Sequence, residues 1–329
     1  MKFLDTDISP LGMGCWPIGG AMFSGDQPLG YTNVDDDESI PTIHAALDAG
    51  ITLFDTAPAY GAGHAERILC RALKKRPEAL IATKFGTGII EESKQITENE
   101  DDPASVLPAI ERSLTRLGRD RIDVLILHLN SLPVPKAEAL FDEVEKACAA
   151  GKVRSYGWST DFSESAVAFA DRPAFVAVEY AMNVLLDAPR MRRALRENNL
   201  IALIRSPLAM GLLGGNYGVG DVMRKDDIRA TSNPRTDYFA DGKVNPAYFA
   251  KLDTIRALLR TGGRTLAQGA IGWLWAQDGA NIPIPGARTV EQIEGLAGAL
   301  AFGALPDDVV AQIEALIERE PDDTPDRVR

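Results

Sequence analysis

Four side chains invite a chemical reading before anything else: Asp55, Tyr60, Lys84 and His128. A free tyrosine hydroxyl, with a pKa of about 10, is a poor acid at neutral pH. An ammonium a few ångströms away favours the phenolate, so Lys84 is expected to lower the pKa of Tyr60. An aspartate holds that ammonium in place and charged, and a histidine orients an oxygen or shares its proton. The set amounts to a proton donor for an oxygen that acquires negative charge, which is what carbonyl reduction requires. Each residue alone has a plainer explanation: a snorkelling lysine, a helix-capping aspartate, a core histidine. His44 and His64 are read as structural.

Such groups must be positioned, and the chain offers repeated elements to do it. Strand-like apolar runs occur at 11–17, 51–57, 79–84, 124–128, 153–159, 175–180, 200–206 and 281–286. Helical patterns lie between them, at 37–49, 104–117 and 137–150, with Gly118 and Gly151 as stops. Runs without alternation imply burial on both sides, hence a parallel sheet covered by helices. Eight such units predict a single-domain (β/α)8 TIM barrel over 1–329, with function at the strand ends. Those ends read Asp55, Lys84, His128, Ser159, Glu179 and Ser206. The stretch FDTAPAYGAG (54–63) then places Tyr60 in the turn after Asp55. Two segments interrupt the alternation: 91–103, read as an exposed acidic loop, and 216–246, long enough to be a lid or binding loop.

Composition narrows the classes. With 329 residues and a formal net charge of −12, nucleic acid and anionic membranes are disfavoured partners. The three cysteines form no disulfide framework or zinc pattern, and no metal is expected. No signal peptide or membrane-length apolar run is evident, so a cytoplasmic location is the expectation. The Gly-x-Gly pairs, such as Gly12/Gly14, never complete G-x-G-x-x-G, so no Rossmann fingerprint is present. A G-x-S-x-G elbow is missing too.

From LGMGCWPIGG (11–20) to IPIPGARTVEQIE (282–294), the chain resembles the aldo-keto reductases. GITLFDTAPAYGAGHAERIL, IATKFG, SLTRLGRDRIDVLILH, GWST and SPLAMGLLGG occur in that family's order and spacing. The resemblance implies NADP(H), rather than NAD(H), extended across the carboxyl end of a barrel, with Asp55, Tyr60, Lys84 and His128 as the catalytic tetrad and Tyr60 as general acid. It places Ser159, Thr160 and Glu179 at the nicotinamide, although relatives carry Asn and Gln where Thr160 and Glu179 stand. An ionised Glu179 accepts from a carboxamide NH₂ but cannot donate to its oxygen. Met182 stands where a ring-stacking Tyr is usual, with Tyr180 the alternative. Ser206, Leu208 and Gly211 resemble the pyrophosphate cradle; Gly286, Arg288 and Gln292 resemble the loop that grips the 2′-phosphate.

Trp16, Phe23, Phe85, Asn130 and the 216–246 loop are expected to line the substrate pocket. Three functions remain open: a carbonyl reductase for a small-molecule aldehyde or ketone; a sugar or pyridoxal-like alcohol dehydrogenase; and an NADP(H)-sensing subunit, similar to the channel-associated members of the fold. Any protein partner is unspecified.

Overall fold

Period-two alternation along the strands decides which residues face inward. In a computed structural model that describes residues 1–231 and 237–319, eight parallel strands form the barrel: β1 (Gly12–Gly14), β2 (Leu53–Asp55), β3 (Leu80–Phe85), β4 (Ile122–Leu127), β5 (Val153–Ser159), β6 (Phe175–Ala181), β7 (Ile201–Arg205) and β8 (Asn281–Pro283). They follow chain order around the sheet, each hydrogen-bonded to the next. Every expected strand is present, with ends shifted by a few residues.

On β3, Leu80, Ala82 and Lys84 share one face, and Ile81, Thr83 and Phe85 the other. Leu53, Leu80, Ala82, Val124, Ile126, Ala177, Leu203 and Ile282 make a closed apolar cluster with Phe3, which a short amino-terminal hairpin (Lys2–Phe3 with Thr6–Asp7) delivers. This is the barrel interior. A larger cluster packs between sheet and helices. The same alternation, continued toward the carboxyl ends, turns Asp55, Lys84, Ser159 and Glu179 inward above the apolar floor. Burial on both faces explains why the strands read as continuous hydrophobic runs.

Closure depends on two glycines. The backbone of Gly14 donates to the Pro285 carbonyl at 3.0 Å and bridges Gly286. A Cβ on Gly14 would lie 2.6 Å from the Ile284 carbonyl oxygen, and one on Gly286 only 2.4 Å from Pro17 Cγ. The Gly12/Gly14 pair therefore serves seam packing.

The helices include α1 (Asp36–Asp48), α2 (His64–Leu73), α3 (Pro103–Leu117) and α4 (Val134–Ala149). Asp35 caps α1 and Asp102 caps α3 through side-chain bonds to backbone N–H groups. Gly118 ends α3 at φ 60°. His44 meets the Ala72 carbonyl and His64 meets Asp36, both between helices.

The 91–103 segment departs from its expected loop. Thr87–Ile90 and Gln95–Asn99 form an antiparallel hairpin, and Phe23 pairs beside it. Its acidic sequence hid the short apolar alternation around Ile89 and Ile96. Glu91, at the hairpin turn, faces arginines rather than water alone. The 216–246 segment carries its own small hairpin, Phe239–Ala240 with Lys243–Val244, and meets the stretch between β1 and α1, where Ile228 N–H donates to the Gly30 carbonyl. Residues 232–236 of that segment lie outside the described residues. No single described helix is long and apolar enough to cross a membrane, and the described residues contain no cluster of potential metal ligands.

Candidate active site

The turn 54–63 is shaped by close backbone approach. Gly61 sits at φ 64°, and a Cβ there would lie 1.7 Å from the Gly19 carbonyl oxygen. No other residue fits. Gly63 N–H donates to the Pro58 carbonyl at 2.7 Å, Tyr60 N–H to the Ala57 carbonyl at 3.0 Å, and Lys94 Nζ to the Gly61 carbonyl at 2.9 Å. The turn is thus held from three sides, which fixes the direction of the Tyr60 side chain.

Tyr60 meets the rest of the tetrad at the end of β3. Lys84 Nζ donates to Asp55 Oδ1 at 2.7 Å and Oδ2 at 2.6 Å, to the Thr56 carbonyl at 3.1 Å and to Tyr60 Oη at 3.3 Å. The His128 ring stands edge-on to the Tyr60 ring, with centroids 6.3 Å apart. His128 itself is half-buried at the mouth, its N–H donating to the Phe85 carbonyl. Trp16 stacks on the other side of Tyr60, at 5.8 Å and 16°.

A second carboxylate joins this group. Glu179 Oε2 lies 3.2 Å from Lys84 Nζ, and both side chains are essentially sealed from solvent. That oxygen makes no hydrogen bond. The strand-end set had placed Glu179 at the mouth; its reach to Lys84 depends on how β6 faces β3 across the barrel, which linear order does not show.

The electrostatics differ from the expected simple pair. Burial raises the pKa of Tyr60; Lys84 lowers it, Asp55 and Glu179 raise it, and the net position is well above the usual phenol. Lys84 acts in the expected direction, but burial, helped by the two carboxylates, outweighs it. Tyr60 stays a neutral, proton-bearing phenol. Burial and the neighbouring Glu179 push Asp55 up to about 8, against the opposing pull of Lys84. Burial acts to depress Lys84, but Asp55 and Glu179 outweigh it and hold the ammonium well above its ordinary range.

The remaining expected residues divide. Ser159 is buried at the end of β5, paired in register with Glu179. Thr160 is buried, and its hydroxyl donates to the Asn130 carbonyl at 2.8 Å and accepts from Phe162 N–H. Asn130 in turn accepts from Asp161 N–H at 2.8 Å, so it fastens the loops after β4 and β5 together. Phe85 occupies the β3 face opposite Lys84 and is buried in the outer cluster; a one-residue parity difference removes it from the pocket wall. Tyr180 is likewise opposite Glu179 and buried, its hydroxyl on Met182 Sδ. Phe23 and Trp16 are half-buried near the Tyr60 turn.

After β7 the backbone takes a left-handed course, with positive φ at Ser206 (53°), Ala209 (49°), Met210 (55°) and Gly211 (99°). Strain of this kind concentrates at functional loops; the Ala209 and Gly211 N–H groups close tight turns onto the Ser206 and Leu208 carbonyls. Leu208 is the half-buried middle of this run. At the far edge, Arg288 Nη2 donates to the carbonyls of Thr32 and Asn33, and Arg288 N–H donates to Gln292 Oε1 at 2.8 Å. Gln292 is therefore engaged within its own loop, while Arg288 Nε and Nη1 carry no such bond among the described residues. Arg205, unremarked in the sequence, pairs with Asp161 beside the mouth.

The aldo/keto reductase family model matches residues 10–318. The chain belongs to the aldo/keto reductase family. An aldo-keto reductase of Bacillus subtilis is 32% identical over 302 residues, 89% of this chain and 86% of its own. An aldo-keto reductase [NADP(+)] of Schizosaccharomyces pombe is 31% identical over 95% of this chain and 89% of its own. Among solved structures, the glycerol dehydrogenase of Gluconobacter oxydans superposes with a TM-score of 0.79 at 28% identity, covering 99% of this chain and 96% of that one. As a member of this family, the chain is an oxidoreductase acting on small molecules.

Proposed function

We propose that the protein is an NADP(H)-dependent carbonyl reductase in which Tyr60 donates the proton that turns a nascent alkoxide into an alcohol. The observation that carries this reading is Tyr60 Oη at 3.3 Å from a Lys84 ammonium clamped by both oxygens of Asp55. A neutral phenol has its proton in hand, and the ammonium strengthens as a partner while the phenolate forms. His128, edge-on to Tyr60, would orient the carbonyl oxygen toward that hydroxyl. Trp16 provides an apolar wall that excludes water.

The residues fit a dinucleotide. The strained turn from Ser206 to Gly211 suits a pyrophosphate, Ser159 suits a carboxamide, and Arg288 Nε and Nη1, which bond to no other described residue, suit a phosphate. When bound, the nicotinamide supplies or accepts the hydride. The yeast relative carries NADP(+) in its name, which supports that cofactor over NAD(H) here. The likeness to a glycerol dehydrogenase supports a second reading, oxidation of a polyol or related alcohol by the same residues run in reverse.

The test is NADPH oxidation and NADP⁺ reduction against aldehydes, ketones and polyols, with NADH in parallel and with Tyr60→Phe. Turnover should fall by roughly 10²–10⁴-fold in the variant, the usual contribution of a positioned acid, with dinucleotide affinity unchanged. A variant as active as the wild type would remove Tyr60 from the chemistry. Binding without turnover in either direction would instead identify a cofactor-sensing protein.

A further inference from the structure

The floor of the mouth holds more negative charge than its one ammonium can balance. Asp55 and Glu179 both reach Lys84 Nζ, at 2.6 and 3.2 Å, from opposite sides of the barrel. Both carboxyls are buried, and Glu179 Oε2 is left without a hydrogen bond. The other ionisable groups around them are Tyr60, which is neutral, the buried Cys15 thiol, whose burial and nearby Asp55 keep it protonated, and His128 at the mouth. Arg205, at the end of the neighbouring β7, is taken by Asp161. Two carboxylates in one dry site do not both ionise readily beside a single cation; they share a proton.

We infer that Glu179 makes this site select the redox state of its dinucleotide: Asp55 and Glu179 share one proton above Lys84, and a ligand ring that carries positive charge displaces it. The inference rests on the dinucleotide reading given above. An oxidised nicotinamide ring is cationic and a reduced one is neutral. Against an ionised Asp55–Lys84–Glu179 floor, the oxidised form gains an attraction that the reduced form does not. Its binding releases the shared proton to solvent; binding of the reduced form leaves the proton in place. The elevated Asp55 is consistent with a proton retained at neutral pH in the absence of such a cation. A glutamine at 179 would supply amide hydrogen bonds but neither the charge nor the proton. The carboxylate also has a consequence for direction. Charge that grows on the ring as hydride leaves is stabilised more than the starting state, which favours transfer to a carbonyl and slows release of the oxidised dinucleotide.

The experiment measures binding rather than turnover. Dissociation constants for NADP⁺ and NADPH are determined by calorimetry at pH 6, 7 and 9, in two buffers of different ionisation enthalpy, for wild type, Glu179→Gln and Glu179→Asp. Glu179→Gln should shift the NADP⁺-to-NADPH preference toward the reduced form by roughly tenfold or more, as expected for loss of one nearby unit charge in a buried site. In the wild type, NADP⁺ binding should release more protons than NADPH binding below pH 8, since the 2′-phosphate contributes equally to both forms, and the difference should fade at pH 9. Glu179→Asp, which keeps the charge, should retain most of the preference. An unchanged preference in Glu179→Gln, or equal proton release for NADP⁺ and NADPH on wild type at pH 6 and 7, overturns the inference while leaving the dinucleotide reading intact. Failure of wild type to bind either form overturns the dinucleotide reading itself.

Discussion

Thr83 and Lys84 are consecutive on β3, and their side chains end in two different buried ion clusters. Behind the sheet, Glu66 accepts from Thr83 Oγ1 at 2.7 Å and from Arg116 Nε at 2.5 Å. Arg116 also reaches Glu91 Oε1 and Ser113 Oγ, and Arg67 takes the other oxygen of Glu91. Two carboxylates face two guanidinium groups, and all four carboxylate oxygens are hydrogen-bonded. Inside the barrel, Asp55 and Glu179 face Lys84 alone. The titrations follow burial first and stoichiometry second, for Asp55 is sealed from solvent and Glu91 is partly exposed. Burial opposes ionisation of Glu91, but Arg67 and Arg116 hold it below the usual carboxylate range, while burial and Glu179 push Asp55 up to about 8. The balanced cluster joins α2, α3, β3 and the 87–99 hairpin. The unbalanced one holds a carboxyl far from its ordinary range at the strand ends, and perturbed groups of that kind cluster at functional sites.

Removing the cation from each cluster separates these roles. Lys84→Met should lower turnover by at least about 10²-fold, since Tyr60 loses the group that supports its phenolate. Its stability loss should be the smaller of the two, because Asp55, already raised, can take up a proton. Arg116→Met should cost about 3–5 kcal/mol, the usual penalty for stripping a buried ion pair of one partner. Enzyme that remains folded should keep near-normal turnover per active site. Denaturant melts and active-site-normalised rates on both variants check this, and equal stability losses would erase the distinction drawn here.

Much of this was legible in the chain, for reasons that show where legibility stops. The eight strands stood out because burial on both faces makes each an unbroken apolar run. The polar residues at their ends stood out because nothing structural demands them there. Tyr60 was findable from its glycine-rich turn, whose need for Gly61 is steric. What linear order could not carry is facing across the barrel. Glu179 meets Lys84 only once β6 and β3 curve toward each other, and the depth of burial that raises Tyr60 is likewise a product of the closed barrel. Phe85 was misassigned by one residue of strand parity. Thr160 was matched by position, but its hydroxyl bonds to Asn130 instead. Glu66, Glu91 and Arg116 went unremarked because each looks like an ordinary surface charge in its own helix or loop.

The pH dependence of stability sharpens the contrast. Asp55 is raised from the ordinary carboxylate range to about 8, so between those values the folded chain binds more protons than the unfolded chain. Stability then falls as pH rises through that window, approaching about 1.4 kcal/mol per pH unit for one proton, and levels off above the folded value. Glu91, held low by its arginines, has the opposite sign: its contribution is present above the unfolded value and is lost in acid. Asp55→Asn should flatten the neutral-to-alkaline slope and leave the acid limb in place. Urea melts from pH 4 to pH 9 on wild type and variant measure both, and a slope that survives the substitution assigns the titration to another group.

The smallest change tests whether the clusters are independent. Thr83→Val removes the hydroxyl that donates to Glu66 Oε1 while keeping a β-branched side chain suited to a strand. Arg116 still holds the other oxygen of Glu66, so the loss is one hydrogen bond to a charged group, about 1.5–3 kcal/mol. Lys84 sits on the opposite face of the same strand, so turnover and dinucleotide affinity should be unchanged if β3 is a rigid divider. Combining Thr83→Val with Glu179→Gln should then give stability changes that add within about 0.5 kcal/mol, as for sites with no shared partner. A larger coupling, or a fall in turnover from Thr83→Val alone, would mean that the structural cluster sets the position of Lys84 through the strand. The two faces of β3 would then work as one site.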